Sequence, residues 1–256
     1  MKQFAELVYN IGTSTKTNEK LQALQDYFAT APAKDMVWVI AVFTGRRPKR
    51  IVNSTFLKDL CITICNIPSW LFEECYHTVG DLGETITLLL PEAETLFAGR
   101  QDVNTREKTL SYYLEHFISI LKEPDEIKKA FILDCWQQMD RNEKFVFNKL
   151  ITGGFRIGVS QTIMVKALAK TKDVSPSVIA HRISGNWNPA TTAIEDLLSE
   201  SSSSIDYSKP YPFYLSHAVE DDPATLGTID EWTAEWKWDG IRGQIIKRNN
   251  ELFVWS

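Results

Sequence analysis

Residues 235–242 read E-W-K-W-D-G-I-R. The period-two alternation predicts a strand with Glu235, Lys237 and Asp239 on one face and the tryptophans on the other. A lysine between two carboxylates is ordinarily a charged, solvated group. To act as a nucleophile it must lose a proton, which takes desolvation or a second cation nearby. Arg242 can supply that cation and bind a phosphate. Gly240, before it, admits positive φ or a close backbone approach. The plain alternative is an amphipathic strand carrying surface ion pairs.

A second stretch, residues 149–169, reads K-L-I-T-G-G-F-R-I-G-V-S-Q-T-I-M-V-K-A-L-A. Gly153 and Gly154 are expected to end one helix and open a tight loop. Ser160 can cap the next helix, leaving free N–H groups at a positive dipole end. With Arg156 and Lys149 beside it, such a corner suits a phosphate. From spacing alone, a plain helix–loop–helix corner is the ordinary reading. Residues 46–50, R-R-P-K-R, add four positive charges in five positions. Arg46, Arg47, Lys49 and Arg50 could meet phosphates or simply form a solvated loop.

The pattern K-x-D-G-x-R at 237–242 resembles the signature of the covalent nucleotidyltransferases: ATP-dependent DNA ligases, RNA ligases and capping enzymes. The resemblance implies that Lys237 attacks the α-phosphorus of ATP and becomes a lysyl–AMP. Glu235 would help read the adenine, and Arg242 would contact the ribose or phosphate. Asp239 and Gly240 belong to the motif with less defined roles. The run T-G-G-F-R-I-G-V-S-Q at 152–161 resembles the helical DNA-binding domain of ATP-dependent DNA ligases, as does the segment at 70–91. By that likeness Lys149, Gly153, Gly154, Arg156, Gly158 and Ser160, with Arg46 and Arg47, would grip nicked duplex DNA from its minor-groove side.

Among these ligases the likeness is nearest to the bacterial type. It implies roles in DNA replication, repair and recombination, and a monomer in the cytoplasm, associated with the nucleoid. ATP would donate AMP, and the ligands for Mg²⁺ are expected beyond residue 256. The chain is therefore expected to be an N-terminal portion, inactive alone. Two other readings stay open: a non-catalytic DNA-binding module, and an RNA ligase or capping-type nucleotidyltransferase.

The elements that must carry these residues are mainly helical. Leu21, Leu24 and Phe28 recur at helical spacing, and residues 35–43 are apolar nearly all round, which predicts a buried helix. Leu71, Cys75, Val79, Leu82, Ile86 and Leu89 form one stripe running to Pro91. Leu110, Leu114, Phe117 and Leu121 form another, and Ile127, Phe131 and Cys135 a third. Asp140 with Glu143 predicts a capping box. Ser175-Pro176 and Asn188-Pro189 each predict a capped helix start. A serine-rich stretch with two prolines follows residue 199, then an alternating pattern and an expected hairpin of Ile241–Lys247 and Leu252–Trp255 about Asn249-Asn250. The expected fold is thus mainly α: a multi-helix DNA-binding domain over 1–200, a linker over 201–215, and over 216–256 the first strands of an α+β nucleotidyltransferase domain.

The 256 residues carry a net charge of −5, so nucleic-acid binding must rest on local patches. Residues 140–185 hold eight basic and three acidic side chains, whereas 206–256 hold five and nine. Composition excludes a disordered, collagenous or disulfide-stapled chain. No apolar run is long enough to span a membrane, and the first ten residues are not a secretory signal. Four cysteines fit a reducing compartment. Cys61 and Cys65 stand four apart, a helix-face spacing, so packing is expected for these and Cys75 rather than zinc.

Overall fold

The computed structural model of the chain describes residues 1–91, 107–153, 155, 158–199, 210, 219, 222–236, 238–248 and 250–255. Among them lie twelve α-helices and one two-stranded antiparallel sheet. The helices are α1 (Lys2–Thr13), α2 (Thr17–Thr30), α3 (Ala33–Phe43), α4 (Ser54–Cys65), α5 (Ser69–Val79) and α6 (Leu82–Leu89). After them come α7 (Leu110–Ile120), α8 (Asp125–Gln138), α9 (Arg141–Thr152), α10 (Gln161–Lys172), α11 (Pro176–Ser184) and α12 (Ile194–Leu198). The sheet is β1 (Gln244–Arg248) with β2 (Glu251–Trp255). The chain is thus mainly helical, with its strands at the C-terminal end.

The core is built around α3, which buries every residue from Asp35 to Val42. An all-apolar helix can be stable only when surrounded, and α7, α10 and α12 pack against it. The buried carboxylate of Asp35 is the exception within it. It accepts the N–H groups of Leu110 (3.1 Å) and Ser111 (2.8 Å), so a charge on α3 completes the N-terminus of α7. A second buried polar chain joins three helices. Trp136 Nε1 donates to Asn148 Oδ1 (2.8 Å), Asn148 Nδ2 to Thr87 Oγ1 (3.2 Å), and Thr87 Oγ1 to the carbonyl of Gly83 (2.7 Å). It fixes α8, α9 and α6 in register, because each of its members would be costly to leave unpaired.

Several local expectations hold. Asp140 and Glu143 form the capping box of α9, each side chain accepting the other's backbone N–H. Leu24 and Phe28 of α2 are buried, and Pro176 occupies the first turn of α11, although the Ser175 hydroxyl makes no cap bond to the backbone and lies 2.8 Å from Ser177 Oγ instead. Cys61 and Cys135 are buried, and Cys65 and Cys75 half-buried.

Others are corrected. The stripe from Leu71 to Leu89 is two helices, because Gly80 takes φ +77° and closes α5, and Asp81 then caps α6. An αL glycine followed by a capping carboxylate breaks the helix without disturbing the spacing of apolar residues. The buried face of α8 carries Ile132, Cys135 and Trp136, while Ile127 is 46% exposed. Asn188-Pro189 opens a turn, not a helix: Asn188 Oδ1 accepts from Ala190 N (3.0 Å) and its carbonyl from Thr191 and Thr192 N. Among the described residues of 232–239 no strand forms. The hairpin is present, but β1 begins at Gln244 rather than Ile241. Arg248 pairs with Glu251 at the closed end of the hairpin, and Asn250 takes φ +65°, while Asn249 lies outside the described residues.

Candidate nucleic-acid interface

The glycine-rich corner joins α9 to α10. Gly153 closes α9 at φ +70°, and its N–H returns to the carbonyl of Leu150. Its missing Cβ makes room for another side chain: a Cβ there would lie 2.8 Å from Arg50 Nε. The basic loop at 46–50 is thereby laid against the end of α9. Phe155 is buried and stacks on Phe4 of α1, ring centroids 5.7 Å apart, pinning the middle of the corner to the core. Gly158 takes φ +62°, a conformation that disfavours any other residue. Ser160 caps α10, its hydroxyl accepting the N–H of Ile163 at 3.4 Å. Gly154 and Arg156 lie outside the described residues.

The basic side chains divide into two groups. Arg46 is turned inward. Its guanidinium donates to the carbonyls of Gly185 (2.7 Å) and Ile183 (3.3 Å) and stands 5.2 Å over the Trp187 ring. Burial pulls its pKa below the ordinary arginine value. Lys149 is also engaged. Its Nζ meets Asp81 Oδ2 at 2.5 Å, its stem packs where Gly83 has no side chain, and its ammonium lies 5.6 Å from the Phe145 ring centroid. Arg47 and Arg50 make no ion pair among the described residues. Nor does Lys20, which reaches the corner from α2 and donates to the carbonyl of Gly158 at 3.0 Å.

A cavity of about 290 Å³ opens beside the corner, between Lys20 and Lys149. Val8, Ile11, Phe145 and Phe155 make its walls apolar. A second cavity, about 390 Å³, is lined by Arg50, by the Lys58–Glu73 pair and by Asp81. Lys20 and the carboxylate partner of Lys149 were not legible in the sequence. Lys20 stands 138 residues before Gly158, and no local pattern links them.

The residues around the other sequence motif are solvated. Lys237 lies outside the described residues. Glu235, Asp239, Gly240 and Arg242 are exposed, and Trp236 and Trp238 are each 86% exposed. No wall of a nucleotide pocket stands against them among the described residues. Nor, among the described residues, does any group of three His, Cys, Asp or Glu side chains gather there. Among the described residues no helix is long and apolar enough to cross a membrane.

The family described as "DNA ligase N terminus" matches residues 1–169. Relatives include "DNA ligase 2" of Methanosarcina mazei, 24% identical over 201 residues, covering 72% of this chain and 34% of that protein. "DNA ligase" of Methanosphaera stadtmanae is 26% identical over 182 residues, 70% of this chain and 32% of its own length. "Probable DNA ligase" of Dictyoglomus turgidum is 21% identical over 274 residues, covering 99% of this chain and 45% of that protein. The chain spans about a third to just under half the length of these relatives. With two thirds of its residues under that match, the chain belongs to the DNA ligase N-terminus family.

Proposed function

We propose that the helices hold nicked duplex DNA for an ATP-dependent DNA ligase of which this chain is the N-terminal part. One observation carries the reading. The corner at 153–160 joins two positive-φ glycines to a capped helix N-terminus, with Arg50 and Lys20 against it and no carboxylate paired to either among the described residues. Backbone N–H groups and unpaired cations at one edge suit phosphates and carry little sequence preference. Gly153, Gly158 and Ser160 shape that edge, with Gly154 and Arg156 between them. Arg47 extends it, while Lys149 and Arg46 serve it from within as struts. Residues 1–200 form the DNA-binding unit in this reading, 201–215 the linker, and 216–256 the start of the nucleotidyltransferase domain.

In the whole protein, Lys237 takes AMP from ATP and releases pyrophosphate. AMP passes to the 5′-phosphate at a nick, and the 3′-hydroxyl then attacks that phosphate, sealing the strand and freeing AMP. Glu235 reads the adenine, Arg242 binds the ribose or phosphate, and Asp239 and Gly240 complete the motif. Glu235, Asp239, Gly240 and Arg242 are exposed, and a nucleophilic lysine needs desolvation or a second cation to lose its proton, which supports the reading that these 256 residues are inactive alone.

The test is direct. Fluorescence anisotropy with the 256-residue chain should show nicked duplex DNA bound more tightly than a nicked RNA duplex, with log affinity falling linearly in log salt. Arg156→Ala should weaken that binding. Absence of binding at low salt, or salt-independent binding, refutes the DNA reading. A covalent adduct from α-labelled ATP on this chain refutes its inactivity. A longer polypeptide that seals nicks equally well as Lys237→Ala refutes the nucleophile.

A further inference from the structure

Two lysines line the cavity beside the glycine corner, and their surroundings differ. Lys149 has its charge balanced by Asp81 at 2.5 Å, and its side chain is only 15% exposed. With its charge already balanced by Asp81, Lys149 gains less by neutralising a phosphate than an unpaired cation does. Lys20 has no such partner among the described residues. The neighbouring carboxylate, Glu19, is held by Ser14 Oγ (2.6 Å) and Lys16 Nζ (2.9 Å). An ammonium has three donors and no acceptor, so the bond to the Gly158 carbonyl leaves two N–H groups of Lys20 to point elsewhere. A Cβ on Gly158 would stand 3.5 Å from this ammonium, an ordinary contact, so it is the φ of +62° and not the space that favours glycine beneath Lys20. The helix carrying Lys20, α2, packs closely along α10, whose capped N-terminus begins two residues after Gly158. The site is therefore doubly positive, from the ammonium and from the helix end.

We propose that Lys20 is a DNA-phosphate contact that also positions the glycine corner, and that Lys149, which lines the same cavity, contacts no phosphate. The inference rests on the DNA-binding reading above and names the cation that serves it. The apolar walls between the lysines, Ile11 and Phe155 among them, take the adjoining deoxyribose, while the phosphate sits on the two spare donors of Lys20.

The experiment measures the affinity of the full 256-residue chain for a fluorescein-labelled nicked duplex from about 50 to 200 mM KCl. Each phosphate neutralised by a lysine contributes ~0.9 to the salt exponent. Lys20→Gln keeps an amide donor for the Gly158 carbonyl but removes the charge. It should lower the exponent by ~0.9, and Lys20→Arg should restore it. Lys149→Ala should keep the wild-type exponent. Circular dichroism confirms that each variant is folded, and Lys20→Met, which also removes the charge, carries the comparison with the same expected loss if Lys20→Gln is not. A wild-type exponent in Lys20→Gln, a lowered one in Lys20→Arg, or a lowered one in Lys149→Ala overturns the proposal while leaving the DNA reading intact. Failure of the wild-type chain to bind the nicked duplex overturns both.

Discussion

Asp81 performs two separable tasks, and separating them tests whether Lys149 is a strut. Its Oδ1 accepts the N–H of Glu84 (2.9 Å) and caps α6, while its Oδ2 meets Lys149 Nζ at 2.5 Å. Asp81→Asn keeps an oxygen for the cap and removes the ion pair. The lysine side chain is 15% exposed and the aspartate 33%, so the pair is screened on one side and should contribute about 1 kcal/mol, at the upper end for surface pairs. Asp81→Ala also loses the cap, a further ~1 kcal/mol. Lys149→Ala loses the pair and the stem that packs on Gly83, for about 2 kcal/mol in all. Urea denaturation of the two single variants and the double variant Asp81→Asn/Lys149→Ala closes the cycle, with an expected coupling of ~1 kcal/mol. Thermal melts should follow, at about 2–4 °C per kcal/mol for a chain of this size. A coupling indistinguishable from zero, or Asp81→Ala no less stable than Asp81→Asn, would show that this contact does not hold α6 to α9 in solution.

Three further outcomes are expected. Asp35→Ala leaves the N–H groups of Leu110 and Ser111 without an acceptor inside the core and should cost about 3 kcal/mol in urea denaturation; a loss under ~1 kcal/mol contradicts the capping role. Gly153→Ala forces a side chain into φ +70° and against Arg50, for ~1–2 kcal/mol and weaker binding of nicked DNA; unchanged stability counts against the αL cap. Burial, with the charge of Asp140 adding to it, raises the pKa of Glu143 above its ordinary 4.5. The folded state therefore binds the proton more tightly than the unfolded one. Its stability contribution is complete below 4.5 and is lost as pH rises through the folded value. Glu143→Gln should flatten denaturation midpoints across that interval, and an unchanged pH profile refutes the assignment.

Much of the helical architecture was legible because it depends on neighbours in the chain. The apolar run at 35–43, the Asp140–Glu143 box, the Gly153 terminus and the Ser160 cap are each decided within one or two helical turns. The Asn249-Asn250 hairpin was legible for the same reason. Two errors share one cause: periodicity reports spacing but not continuity. The stripe through Gly80 keeps its spacing across an αL break, and the alternation at 234–239 supplies a strand pattern without a hydrogen-bonding neighbour among the described residues. A strand needs such a neighbour, whereas a helix closes its own hydrogen bonds.

The candidate interface divides along the same line. Local sequence set where the glycines and the helix cap stand and how many basic residues surround them. Which of those cations remain unpaired was decided by packing. Asp81 reaches Lys149 across 68 residues, the carbonyls of Ile183 and Gly185 engage Arg46 across 137 and 139, and Lys20 meets Gly158 across 138. A charge has the same formal value wherever it sits in the chain. Its availability to a phosphate depends on what the fold has already placed within hydrogen-bonding distance of it.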